Sequence, residues 1–182
     1  MEQITLDNAT QLHQEQVKRY MLEFLKDHKN QFQYKSELIT AAGIHDIGKS
    51  FIPESIFNAP RRLTSLERIV IDHHSYYGYK LAIECGYDEL TSQMVLCHHG
   101  MNKPKDEEIY ISSEVQKHAL MLQVIDAYTA LTSNRPYREA LSDEVAMGIL
   151  MSGKEFDSDS VELLKNWARR EEVLEEIQQS NN

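Results

Sequence analysis

The stretch TSLERIVIDHHSYYGYKLAIECG, residues 64–86, decides the fold class. Thr64-x-x-Glu67 is a capping box, in which two side chains satisfy the orphan backbone N–H groups of a helix start. Leu66, Ile69, Val70, His73, His74 and Tyr77 follow on the predicted helix, and Gly86 ends it. Working outward, the same helical spacing recurs. Val17, Met21, Phe24 and Leu25 form an apolar stripe within a helix over about 5–29. Leu38, Ile39 and Ala42 predict a second helix reaching Asp46, after which Gly48, Pro53 and Pro60 interrupt the chain. Further helices are predicted over about 88–98 and 113–132, after Ser142, and over about 159–178. Residues 100–112 read as a polar loop and Asn134-Arg135-Pro136 as a turn. Ile109-Tyr110-Ile111 is the one segment with strand-like alternation. No repeat or linker is visible. The expectation is an all-α, single-domain helical bundle over residues 1–182.

Composition narrows the partners. With 19 Lys+Arg against 29 Asp+Glu, the 182 residues carry a formal charge of −10. That balance argues against generic nucleic-acid binding or a basic membrane surface. At 41% hydrophobic the chain can bury a core, yet no run of about 18 apolar residues exists to cross a membrane. Met1-Glu2-Gln3 does not read as a signal peptide, and two cysteines are too few for a disulfide scaffold. A cytoplasmic location is expected. The acidic run Glu171-Glu172 with Glu175-Glu176 reads as a solvated face of the terminal helix, and Met147, Leu150 and Met151 as core.

Eight histidines remain to be explained. His45-Asp46 alone is a weak motif, because such dipeptides arise readily by chance in a chain with this many His and Asp. The collective arrangement carries more. His13, His45, Asp46, His74, His98, His99 and Asp126 fall one or two to a helix on successive helices. A bundle builds a metal site in its core in this way, from inward side chains on facing helices. Imidazole and carboxylate donors suit iron, manganese, zinc or nickel. Adjacent residues on a helix point about 100° apart, so a doublet serves best at a helix end or between two metals. Asp46 can bridge with its two oxygens while His45 binds one ion. Two metals about 3.5–4 Å apart form a phosphoester-cleaving centre. His28 and His118 read as surface residues, and spacing alone does not choose between His73 and His74.

These residues resemble the HD-GYP branch of the HD-domain phosphohydrolases, from about His13 to Val161. His45-Asp46-Ile47-Gly48-Lys49, followed by Ile52-Pro53-x-x-Ile56, is similar to the family signature. Leu63-Thr64 with His74-x-x-x-Gly78 resembles its next block, which selects His74 over His73. His98-His99, the run from Val124 to Arg138, Phe156-Asp157 and His13-x-x-x-Val17 resemble its remaining motifs.

The resemblance implies two divalent metal ions, iron or manganese before zinc or nickel. His13, His45, Asp46 and Asp126 surround one, and Asp46, His74, His98 and His99 the other. It also implies that Asp46 and Lys49 are catalytic, and that Lys49, Arg135 and Arg138 contact the substrate phosphate. A structural salt bridge beneath the site is the alternative for Arg135 and Arg138. The implied activity is phosphodiester hydrolysis of a bacterial cyclic dinucleotide, cyclic di-GMP foremost; for regulation the alternatives are supply, a separate regulatory protein partner, or none.

Two departures are legible. Residues 100–105, Gly-Met-Asn-Lys-Pro-Lys, lack the Gly-Tyr-Pro loop that names the branch. Ala9 stands where some members carry a glutamate for a third metal, which favours a binuclear site. The altered loop keeps two rivals open: an HD-superfamily mononucleotide phosphohydrolase, and a non-catalytic binding module for a nucleotide or partner.

Overall fold

The computed structural model describes residues 6–28, 30–57, 59, 61–101, 103–134 and 138–180. The regular structure among them is helical. In chain order it comprises α1 (Asn8–His28), α2 (Lys35–Ile44), a 3-10 turn (Ile47–Phe51), α3 (Glu54–Phe57) and α4 (Ser65–Asp72). Then follow α5 (His74–Glu84), α6 (Glu89–Cys97), α7 (Ser113–Thr132), α8 (Asp143–Ser152) and α9 (Ser158–Ser180). Starts are set by side-chain caps. Asp7, Thr64, Asp88, Ser112, Ser142 and Asp157 each accept a backbone N–H three residues on. Gly86, at φ +83°, ends α5 in the left-handed conformation that favours glycine. None of the described helices is long and apolar enough to cross a membrane.

Helix α7 is the axis of the bundle, packing on α1, α2, α6, α8 and α9. Its Val115, Met121, Leu122, Val124 and Ile125 are fully buried against Val17, Met21 and Phe24 of α1, Leu38 of α2 and Met94 of α6. Each such side chain contributes about 1.5–3 kcal/mol by leaving water. The expected all-α bundle is what forms.

Four local expectations are corrected. The helix starting at Thr64 does not continue to Gly86. It stops at Asp72, His73 turns the chain, and α5 begins afresh at His74. The new helix starts where α5 meets a tertiary contact. Gly48 lies so close to it that an added Cβ would stand 2.0 Å from the His74 carbonyl oxygen and 2.4 Å from the Gly78 nitrogen. Ile109-Tyr110-Ile111 forms no strand: the two isoleucines pack towards Tyr79, Leu96 and Cys97 while Tyr110 faces solvent. The alternation is that of a strap, not of a sheet. His118 is fully buried, accepting the Tyr34 backbone N–H at Nε2 (3.0 Å) and donating from Nδ1 to the Glu114 carbonyl (2.7 Å). Met151, expected in the core, is exposed, whereas Met147 and Leu150 are buried.

Gly48→Ala should lose on the order of 1–3 kcal/mol, because the clash is with backbone that cannot turn aside. Gly148→Ala, on the exposed face of α8 with nothing within 4 Å, should gain up to ~1 kcal/mol of helix propensity. Urea midpoints of the two variants check this; equal shifts would refute the close-approach account. Burial pushes the Cys97 thiol up to about 11, whereas Cys85 is exposed. At pH 8 a disulfide-exchange reagent should therefore titrate one thiol in the folded protein and two after unfolding.

Candidate metal centre

The seven predicted donors come from five packed segments. His13 lies on the inner face of α1 and Asp126 in mid-α7. His45 caps the end of α2, and Asp46 opens the 3-10 turn. His74 is the first residue of α5, and His98 caps the end of α6 with His99 next to it. Both doublets thus stand at helix ends, where the backbone leaves the helical path and two neighbours can face one point.

The ligand atoms gather into two groups, each within 4.8 Å: His13, His45 and Asp46, and His74, His98 and His99. Two carboxylates span them. Asp46 Oδ2 is 3.5 Å from His45 Nε2, and its Oδ1 is 3.3 Å from His74 Nε2. Asp126 Oδ1 is 2.7 Å from His13 Nε2 and 3.6 Å from His45 Nε2, while its Oδ2 is 3.5 Å from His99 Nε2. Each aspartate therefore offers one oxygen to each group. The resemblance implied this for Asp46 but gave Asp126 to the first group alone.

Three of the rings are held in the same way. Nδ1 of His45, His74 and His98 lies 2.9, 2.6 and 2.6 Å from the carbonyl oxygens of Ala42, Ile71 and Val95, each three residues earlier. A carbonyl only accepts, so Nδ1 carries the proton and Nε2 turns its lone pair inward. The His45 Nε2 is buried with no hydrogen-bond partner. The Nε2 atoms of His74 and His98 face one another at 3.2 Å, two lone pairs with no proton between them. A cation satisfies all three. Metal-bound histidines are held by their second ring nitrogen in this manner.

The electrostatics agree with that donor set. Burial holds His98 well below the usual imidazole range, helped by His99, His74 and His45. Burial likewise lowers His99, against the pull of Asp126. For Asp46 burial opposes ionisation, but Lys49 and His45 outweigh it and hold the carboxyl well below its ordinary value. Burial also opposes ionisation of Asp126, where His13 and His45 prevail. His45 moves the other way, since Asp46 and Asp126 overcome the burial that disfavours its charge. His98 and His99, held neutral, beside the ionised Asp46 and Asp126 form a donor set that fits a first-row divalent cation.

Around this centre, Lys49 Nζ lies 2.5 Å from Asp46 Oδ2 and remains partly exposed. Gln14 was not singled out in the sequence, yet its buried Oε1 accepts the Asp46 backbone N–H at 3.0 Å. Its position next to His13 was the one available signal. His73 stays outside both groups and donates from Nδ1 to the Ile69 carbonyl at 2.7 Å. His28 is half-buried, stacked on Phe24 at 4.1 Å rather than free at the surface. Arg138 Nη2 donates to the Ala130 carbonyl at 2.7 Å, near the end of α7, and its Nη1 is buried without a partner among the described residues. Arg135 lies outside the described residues. The loop after His99 is strapped down: Lys80 pairs with Glu107, and Lys103 donates to the Glu107 carbonyl.

Comparison with known proteins accords with this architecture. The family model described as "HD domain" matches residues 2–160. A cyclic di-GMP phosphodiesterase response regulator of Xanthomonas campestris pv. campestris is 31% identical over 142 residues, 73% of this chain and 37% of its own length. A cyclic di-GMP phosphodiesterase of Thermotoga maritima is 31% identical over 140 residues, 71% of this chain and 36% of that protein. A 3'3'-cGAMP-specific phosphodiesterase of Vibrio cholerae is 27% identical over 139 residues, 70% of this chain and 26% of that one. The chain thus spans about a third of the length of the curated relatives it matches. With that match over most of its length, and with the residues of the His-Asp signature gathered on facing helices, this chain belongs to the HD-domain family.

Proposed function

We propose that the chain is a metal-dependent phosphodiesterase that hydrolyses a cyclic dinucleotide, cyclic di-GMP before other members of that class. The observation that carries this reading is the pair of donor groups spanned by Asp46 and Asp126. The activities named for the three relatives support the substrate class. In this reading His13, His45, Asp46 and Asp126 would hold one divalent ion and Asp46, His74, His98 and His99 a second, with iron or manganese as the metal. When bound, the ions supply a nucleophile at neutral pH and positive charge for phosphoryl oxygens. Residues 1–182 act as one domain, in the cytoplasm.

The chain's own residues do the rest. Hydrolysis adds water across one phosphodiester: a bond from water oxygen to phosphorus forms, and the bond to the ribose oxygen breaks. That leaving oxygen needs a proton. Lys49, the partly exposed cation at the centre, gives it or steadies the phosphate through Nζ. Gln14 fixes the Asp46 backbone, so the aspartate keeps one oxygen towards each group. Arg138, anchored on Ala130, is proposed to contact the substrate phosphate, a role the family resemblance also gives to Arg135. Because the protein carries a charge of −10, attraction of an anion is local to this pocket.

The strapped loop favours one rival. Residues 100–105 lack Gly-Tyr-Pro, and Glu107 is tied to Lys80, so contacts normally made from that loop are absent from the sequence here. A mononucleotide phosphohydrolase is the reading this supports.

Protein purified without oxygen should contain about two metal equivalents by elemental analysis. With manganese or ferrous iron it should convert a cyclic dinucleotide to the linear product while leaving nucleoside mono- and triphosphates intact. Cleavage of mononucleotides alone would select the rival. Asp46→Ala should remove metal and turnover together; normal turnover with normal metal content would sink the assignment. Lys49→Ala should keep the metal and lose roughly 100-fold or more in kcat.

A further inference from the structure

Beyond the donor cluster, Phe51, Tyr77, Tyr87 and Tyr110 are exposed, and the first two of these rings adjoin one another. Phe51 is 60% exposed and Tyr77 38%. Their ring centroids are 6.0 Å apart at 53°, and His73 extends the row, 6.3 Å from Tyr77. Their place is set by the seam that builds the centre. The 3-10 turn lies across the first turn of α5, with Gly48 against the His74 and Gly78 backbone and Asp46 Oδ1 at 3.3 Å from His74 Nε2. Phe51 ends the 3-10 turn and Tyr77 lies on α5, so their ring contact joins the two elements of that seam. Tyr77 is three residues beyond His74 on α5, hence its surface neighbour at about 5–6 Å between Cβ atoms. Phe51 is two residues beyond Lys49. A nucleotide with its phosphate at Lys49 and His74 would carry its base one sugar away, on the scale of the two- and three-residue steps from those residues to Phe51 and Tyr77.

We propose that Phe51 and Tyr77 form a stacking platform for one base of the nucleotide substrate, an inference that rests on the phosphodiesterase reading. Every base offers a π face, so aromatic stacking adds affinity without fixing base identity, by roughly 5–100-fold per base. The platform therefore accounts for binding of the substrate class, while hydrogen-bonding groups elsewhere select among bases. The apolar surface of α4 nearby, Leu66, Ile69 and Val70, is exposed as well. It lacks flat rings and lies on a helix that bears none of the donors, so the platform does not need it.

The test uses the metal-loaded full chain with two readouts. Steady-state hydrolysis of the cyclic dinucleotide separates KM from kcat. A cyclic dinucleotide carrying 2-aminopurine in place of one base reports stacking by fluorescence quenching, without turnover. Phe51→Ala and Tyr77→Ala should each raise KM roughly tenfold, leave kcat within about threefold and weaken the quenching. Tyr77→Phe should behave as the wild type, since it keeps the ring. Ile69→Ala should leave both readouts unchanged. Unaltered KM and quenching in the two alanine variants would overturn the platform, as would an equal loss in Ile69→Ala. Turnover that ignores Phe51 and Tyr77 refutes the platform and leaves the phosphodiesterase reading standing. Quenching without turnover does the reverse.

Discussion

The contact on which the centre depends has no charge and no hydrogen bond of its own. It is the close approach of Gly48 to the first turn of α5, where the His74 carbonyl and the Gly78 nitrogen leave no room for a Cβ. Backbone against backbone, this contact brings the 3-10 turn onto α5, so that Asp46 reaches His74. Gly78 completes it from the other side, where an added Cβ would meet Val95 of α6 at 3.0 Å. Two glycines thus fix the spacing of three segments that carry Asp46, His74 and, at the end of α6, His98 and His99. Without that spacing the seven donors would be a list of polar side chains on separate helices.

The price of the arrangement is electrostatic. Two aspartates and several imidazoles are gathered where burial disfavours charge, and an unpaired ion there costs several kcal/mol. The chain answers by division of labour. Asp46 and Asp126 stay ionised because Lys49 and the histidines face them. His98 and His99 give up the proton instead. His98 and His99 shift downward together with the two aspartates, whereas a partner in an ordinary ion pair would be raised, as His45 is.

Much of this was legible in the sequence, and the remainder fails for identifiable reasons. Helical spacing and caps foretold α1, α6, α7 and α8 closely, because those elements obey local rules. His13, His45, Asp46, His74, His98, His99 and Asp126 could be picked out together because a core metal site needs donors on facing helices, and the family resemblance ordered them. The break at His73 could not be read, since the capping box at Thr64 and the glycine at 86 both describe a single helix, and the Gly48 contact at the new start is non-local. His118 looked like a surface residue beside Lys117, yet its ring meets the Tyr34 backbone from across the bundle. Gln14 has no motif at all: its role is to accept one backbone proton 32 residues away.

The repeated link from a ring Nδ1 to the carbonyl three residues earlier has a consequence for how such a centre is kept through evolution. Each of His45, His74 and His98 is oriented by the last turn before it, not by a distant partner. Ring and tether form one local module, carried wherever that helix end is carried. The rotational entropy of three ligands is spent when the helices fold, before anything binds. Divergence in connecting segments such as residues 100–112 can therefore proceed while the donors hold their aim, and a chain can change what reaches its centre without rebuilding it.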